Sequence, residues 1–137
     1  MMKNSILFVL SFALLMLIGC GNSNVGLSGK VVFSDDGSPV PVGRVVFVTN
    51  SFQAYGDLQP DGTFVISSIK ENDGLPSGKY RVCIAGAQRL VDEAKELYEP
   101  LVAEKFTNDN TSGIEVEVTA STKTIEIKVD RHQSDKR

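Results

Sequence analysis

The sequence predicts an all-β domain, a seven-stranded Greek-key β-sandwich with one short helix in the connection between strands five and six. Three observations support this. From Leu27 onward, short runs rich in β-branched and aromatic residues alternate with Gly, Pro, Asn and Asp. Near the end, IEVEVT (114–119) and TIEIKV (124–129) alternate apolar and polar residues, the period-two pattern of strands buried on one face. Finally, seven such runs would leave an apolar face uncovered in a single sheet, whereas two packed sheets cover it.

In chain order, LSGKVVF (27–33) reads as the first strand, DDGSPVPVG (35–43) as a turn region, and RVVFVT (44–49) as the second strand. SFQAYGDL (51–58) is a weaker third. Gln59-Pro60-Asp61-Gly62 forms a tight turn in which Asp61-Gly62 supplies positive φ angles, and TFVISSI (63–69) returns as the fourth strand. The breaker-rich ENDGLPSG (71–78) precedes the fifth strand, KYRVCIA (79–85). There Tyr80, Val82 and Ile84 face the core, with Arg81 and Cys83 opposite, and the Tyr80 hydroxyl needs a partner. In RLVDEAKELYEPLVAEKF (89–106), Leu90, Ala94, Leu97 and Tyr98 fall at helical spacing before Pro100, predicting a helix over about Leu90 to Tyr98. Strands six and seven follow. Val32, Val46, Val48 and Val65 alternate away from the predicted core face, either as an exposed apolar patch or as sheet packing.

The 137 residues suit one domain. Its organisation reads as a signal segment over 1–19, a lipidated N-terminus and tether over 20–26, the sandwich over 27–130 and a disordered tail over 131–137. The head with Lys3, the apolar stretch from Ser5 to Ile18 and Gly19 match a signal-peptide plan, and the apolar stretch is shorter than the roughly 20 residues that span hydrocarbon. Leu17-Ile18-Gly19-Cys20 resembles the lipobox of bacterial lipoproteins. The resemblance implies lipid attachment at Cys20, with the membrane as a partner through that lipid. Two or three acyl chains at about 0.8 kcal/mol per buried CH₂ anchor a protein stably. Gly21 follows where an Asp would favour inner-membrane retention, so the resemblance favours the outer membrane if the cell has one. The rival reading of Cys20, a disulfide with Cys83, would suit an oxidising compartment.

Without residues 1–19 the chain keeps thirteen bases against seventeen acids, a formal charge of −4, with no Lys/Arg cluster. Such a surface excludes nucleic acid as a natural partner. Asp57 to Gly62 and Asn108 to Gly113 are rich in oxygen ligands but lack EF-hand spacing, and they read as turns with Asx hydrogen bonds. Asn110-Thr111-Ser112 fits a glycosylation acceptor pattern that a bacterial lipoprotein would match by chance. The single His, His132, lies near the end and is a poor base for a Cys83 nucleophile.

The series GKVVF, a Pro-Val turn, RVVFV, PDGTFVI and GLPSGKYRVCI, with KFTNDNTSGIEVEV later, resembles the transthyretin-like (prealbumin-like) sandwich, also called the carboxypeptidase regulatory-like domain, as found on small bacterial lipoproteins. The resemblance spans Leu27 to Val129 and implies an extracytoplasmic domain. The family's hydrolase branch carries several catalytic His and Arg residues and a Tyr-Arg-Gly-Ser ending, whereas this chain ends Ser134-Asp135-Lys136-Arg137. The expectation is therefore a non-enzymatic protein without cofactor or metal, acting in envelope interaction or structure with an envelope protein partner. The alternative is a small-molecule or glycan binding module using the 86–112 connection, with Tyr98 and Phe106 in a concave cluster.

Overall fold

A computed structural model describes residues 24–134, and the signal segment and Cys20 lie outside them. Two sheets form the sandwich. One has three strands in the order β4-β1-β9, the other four in the order β3-β2-β5-β8. Their ranges are β1 Ser28–Phe33, β2 Arg44–Val48, β3 Gln53–Asp57, β4 Thr63–Val65, β5 Gly78–Ala85, β8 Ile114–Val118 and β9 Thr124–Val129. These seven correspond to the seven predicted from the sequence. All neighbours are antiparallel except β1 and β9, which run in parallel with Ser28 opposite Thr124 and Phe33 opposite Val129.

The expected helix is absent. Its residues form a separate antiparallel hairpin, β6 (Gln88–Asp92) and β7 (Leu97–Pro100), followed by a 3-10 turn at Glu104–Thr107. Leu90 and Tyr98 do lie side by side as the helical spacing required, but as a cross-strand pair. Spacing of eight residues fits two turns of helix and equally fits a hairpin folded about its midpoint. The chain reverses at Glu93 to Glu96, where the Lys95 N–H donates to Asp92 Oδ1 and Glu96 takes a φ of 49°.

Alternation decides what fills the space between the sheets. Val31, Phe33, Phe64, Ile127 and Val129 enter from one side, and Val45, Phe47, Ala54, Tyr80, Val82, Ile84 and Val118 from the other. Phe47 is fully buried and meets Phe64 and Tyr80 with ring centroids 6.4 and 6.0 Å apart. The Tyr80 hydroxyl donates to the Pro76 carbonyl at 2.7 Å, which satisfies the one polar atom that this ring brings inside. On the outward faces, Val32 and Val46 are buried, Val48 is half-buried and Val65 is exposed. They belong to different sheets, so no common apolar patch arises from them.

The parallel β1–β9 pair gives the domain two distinct ends. At the N-terminal end Val25 pairs with Leu75 just before β5 begins, through hydrogen bonds of 2.7 and 3.1 Å. Residues 24–26, expected in the tether, are therefore part of the folded domain. The opposite end, beyond Phe33 and Val129, gathers the 34–43 turn, the root of the hairpin and residues 130–132. The Ala103 N–H donates to the Asp130 carbonyl, the His132 N–H to that of Leu101, and the Leu101 N–H to that of Ala87.

This also corrects the expectation of a tail frayed from residue 131. Arg131 bonds Asp35 at 2.8 Å and Asp36 at 3.0 Å, and its guanidinium lies 3.8 Å from the centroid of the Phe33 ring. A basic residue near a chain end reads as solvated because its acidic partners lie some 95 positions away.

Candidate functional site

Three places were candidates for chemistry. Cys83 lies on the outward face of β5, buried between strands, and burial pushes its thiol pKa up. The Asp109 carboxylate raises it further, against a backbone N–H of Asp109 that favours the thiolate. A thiol so held is a poor nucleophile. His132 is placed by its backbone bond to Leu101 at the opposite end of the domain from Asn24, beside Arg131, Ala103 and Glu104. The oxygen-rich turns use their acceptors internally. Asp61 receives the Thr63 N–H and hydroxyl, Asp57 pairs with Arg44, and Asn108 receives the Asn110 N–H. Asp109 pairs with Arg81 at 2.9 Å, and the buried Ser112 hydroxyl donates to the Val82 carbonyl. Among the described residues no three His, Cys, Asp or Glu side chains cluster as metal ligands would, and every buried side-chain N or O atom has a partner.

A shallow cleft of about 240 Å³ lies between β3 and the chain after β4, lined by Tyr55, Asp57, Gln59, Thr63, Ser67 and Glu71. Arg44 spans its rim, 4.2 Å from the Tyr55 ring centroid and 2.7 Å from the Asp57 carboxylate. Both polar ends of that rim are thus already engaged with each other.

The β6–β7 hairpin differs from both. Leu90, Val91, Leu97 and Tyr98 are each 47–53% exposed, which sets them apart from the buried apolar residues of the sandwich. Leu90 faces Tyr98 across the strands, while Leu97, adjacent to Tyr98, points to the other side. Both faces of the ribbon therefore carry uncovered apolar side chains. The Arg89–Glu99 pair bridges the strands at 2.7 Å, and Val91 sits at a β-bulge between Leu90 and Asp92 that sharpens the local twist. A two-stranded ribbon is marginal alone, so its stability comes from the root, where Ala87 and Val102 are buried.

Phe106, the other aromatic expected in a concave cluster, is buried in the core. Tyr98 and Phe106 thus do not line one surface, and the 86–112 connection presents a projecting ribbon rather than a cup. Sequence reasoning named Leu90, Leu97 and Tyr98 as a helix face and missed the bulged Val91. The available signal was the β-prone pairs Leu90-Val91 and Leu97-Tyr98 separated by a charged turn.

No family model matches the chain, and no curated protein matches it. Among solved structures it is similar to the major pilin subunit of Bacillus cereus, with a TM-score of 0.49 and 13% sequence identity. The match covers 81% of this chain and 30% of the pilin, and a likeness of that degree carries no function from one protein to the other.

Proposed function

We propose that this chain is a non-enzymatic, lipid-anchored protein of the cell envelope that holds the β6–β7 hairpin out toward a protein partner. The observation that carries the reading is the polarity of the domain. The chain enters at the end where Val25 meets Leu75, while the hairpin rises from the opposite end with four large apolar residues half exposed. On this reading the lipid on Cys20 holds the domain at the membrane, its resemblance to a transthyretin-like lipoprotein domain accounts for the scaffold, and the hairpin points away from the lipid. Aromatic and aliphatic side chains flanked by charge, as here with Arg89, Asp92 and Glu99, are the composition of a protein contact with an apolar centre and polar rim.

The test has two arms. Metabolic labelling with a clickable palmitate analogue should mark the native chain and not Cys20→Ala, and the variant should leave the membrane fraction. A photo-crosslinking residue at position 98 in living cells should give a discrete protein adduct that the same residue at Glu117, on β8, does not. Absence of label would refute the anchor, and equal or absent adducts at the two positions would refute the hairpin as the contact.

A further inference from the structure

Resting on the anchored reading above, we infer that the N-terminal end of the sandwich is itself a membrane-docking surface, with Ile69 entering the lipid interface and Lys70 beside it. Ile69 is 88% exposed, far more than any other large apolar residue of the described chain. Its loop is braced rather than loose. The Asp73 carboxylate accepts the backbone N–H groups of Ser68, Ile69 and Lys70 at 2.6, 3.1 and 2.9 Å, and also the Ser68 hydroxyl. The Asn72 N–H donates to the Ser67 hydroxyl at 2.8 Å. A β-branched apolar side chain is therefore held at the tip of a tight turn, where solvent would favour a polar residue.

The path of the chain says what covers it. The Asn24 side-chain amide donates to the Ser68 hydroxyl at 3.4 Å, so the segment leading from Cys20 arrives beside the residue that precedes Ile69. Three residues lie between Cys20 and Asn24, so the two are four steps apart along the chain, a span of at most about 14 Å when fully extended. With lipid on Cys20, this end of the domain cannot stand clear of the bilayer, and Ile69 is the side chain placed to meet it. The charge fits the same occupant. Lys70 follows Ile69, and Lys123 lines the cleft that Asn24, Val25 and Ser77 form at this end. Of the loop's two acids, Asp73 is spent on the brace, and Glu71 lines the cleft that Ile69 and Lys70 share with Tyr55 and Asp57, whose carboxylate is paired with Arg44. A bilayer carrying anionic headgroups attracts such lysines. A docked tip would fix the tilt of the sandwich and keep the β6–β7 hairpin directed away from the lipid, which a flexible tether alone would not do.

The chain contains no Trp, so one introduced residue reports alone. Ile69→Trp and, separately, Leu97→Trp would be made in the full-length protein, purified from membranes and reconstituted in phosphatidylcholine–phosphatidylglycerol vesicles with brominated acyl chains. Bromine quenches only a ring that reaches the acyl region. The expected result is Ile69→Trp emission about twofold lower than in unbrominated vesicles, with Leu97→Trp emission unchanged. Equal emission of Ile69→Trp in both vesicle types, from protein that floats with them, would overturn docking and leave the anchor standing. Quenching of Leu97→Trp in place of Ile69→Trp would overturn the orientation, and protein that does not float at all would overturn the anchor and the docking together.

Discussion

The β2–β3 pair and the β6–β7 pair are both antiparallel ribbons of about five residues per strand, yet one is the centre of the protein and the other an appendage. In β2–β3, Val45, Phe47 and Ala54 are completely buried, since a second sheet lies across them. In β6–β7 no other strand of the described residues lies across either face, and equally apolar side chains are exposed. Apolar content therefore does not distinguish the buried ribbon from the exposed one in this molecule. What distinguishes them is cover: the run Val45-Val46-Phe47-Val48 of β2 is as continuously apolar as Leu90-Val91 or Leu97-Tyr98 of the hairpin, but its inward side chains lie under a second sheet.

The largest effects of mutation should consequently fall on the first ribbon. Phe47→Ala removes a ring packed against Phe64 and Tyr80 and leaves a cavity between the sheets, for an expected loss of about 3–5 kcal/mol in urea unfolding. Leu97→Ala should change stability by no more than about 0.5 kcal/mol. Equal losses from the two would mean that the hairpin is packed against the sandwich and would break the contrast.

Two glycines sharpen it further. Gly62 has a φ of 79°, and a Cβ there would lie 2.7 Å from the Val31 carbonyl oxygen and 2.9 Å from the Pro39 Cβ. Gly62→Ala should therefore cost both backbone strain and a forced shift of β1 or its turn, about 2–3 kcal/mol. Gly86, at the root of the hairpin, has a φ of 64° but open space around a Cβ. Gly86→Ala should show the strain alone, about 1 kcal/mol, in the same unfolding assay.

How far these regions were legible in the sequence follows from the same physics. The last two sandwich strands were readable because burial on one face imposes a period of two, and the first five because β-branched and aromatic runs stand between turn residues. The 59–62 turn was readable because few residues tolerate the positive φ that Gly62 takes and Asp61, against expectation, does not. The hairpin was misread because Leu90, Ala94, Leu97 and Tyr98 satisfy helical spacing while no sequence rule states that they will remain uncovered. Contacts between distant segments left no local trace at all. Arg131 over Phe33 joins residues 98 positions apart at one end of the domain, and Asn24 against Ser68 spans 44 positions at the other. Of the candidate residues, Tyr98 was singled out but with Phe106 as its companion. Ile69 was assigned to the end of a strand, because the brace that turns it outward is a carboxylate four residues later.

That brace gives a prediction of smaller size. Three backbone N–H groups and a hydroxyl hold the Asp73 pKa down at about 2, from an ordinary 3.8. Because the folded value is the lower one, the brace contributes fully above about pH 4 and is lost as pH falls through about 2; raising the pH leaves it unchanged. The amide resonances of Ser68, Ile69 and Lys70 should therefore move together with a midpoint near 2, while those of β2 stay in place as long as the domain is folded. In Asp73→Asn the pH-dependent movement should be absent. A common midpoint near 4 instead would mean that the carboxylate is free in solution and that Ile69 sits on a loose loop.

The smallest effect on stability should come from the change with the largest effect on contact. Leu97→Ser combined with Tyr98→Ser strips apolar surface from both faces of the hairpin yet removes nothing from the core, so the unfolding midpoint should stay within the range of ordinary surface substitutions, about 0.5 kcal/mol. A photo-crosslinker placed at Leu90, across the strands from position 98, should nevertheless lose its adduct, since the contact would lack its apolar centre. Should the adduct persist, the partner would be held by the charged rim of Arg89, Asp92 and Glu99, and its yield would then fall as salt is raised, which an apolar contact resists. If instead the double variant unfolds readily, Leu97 and Tyr98 are structural, and the division between buried ribbon and presented ribbon is drawn in the wrong place.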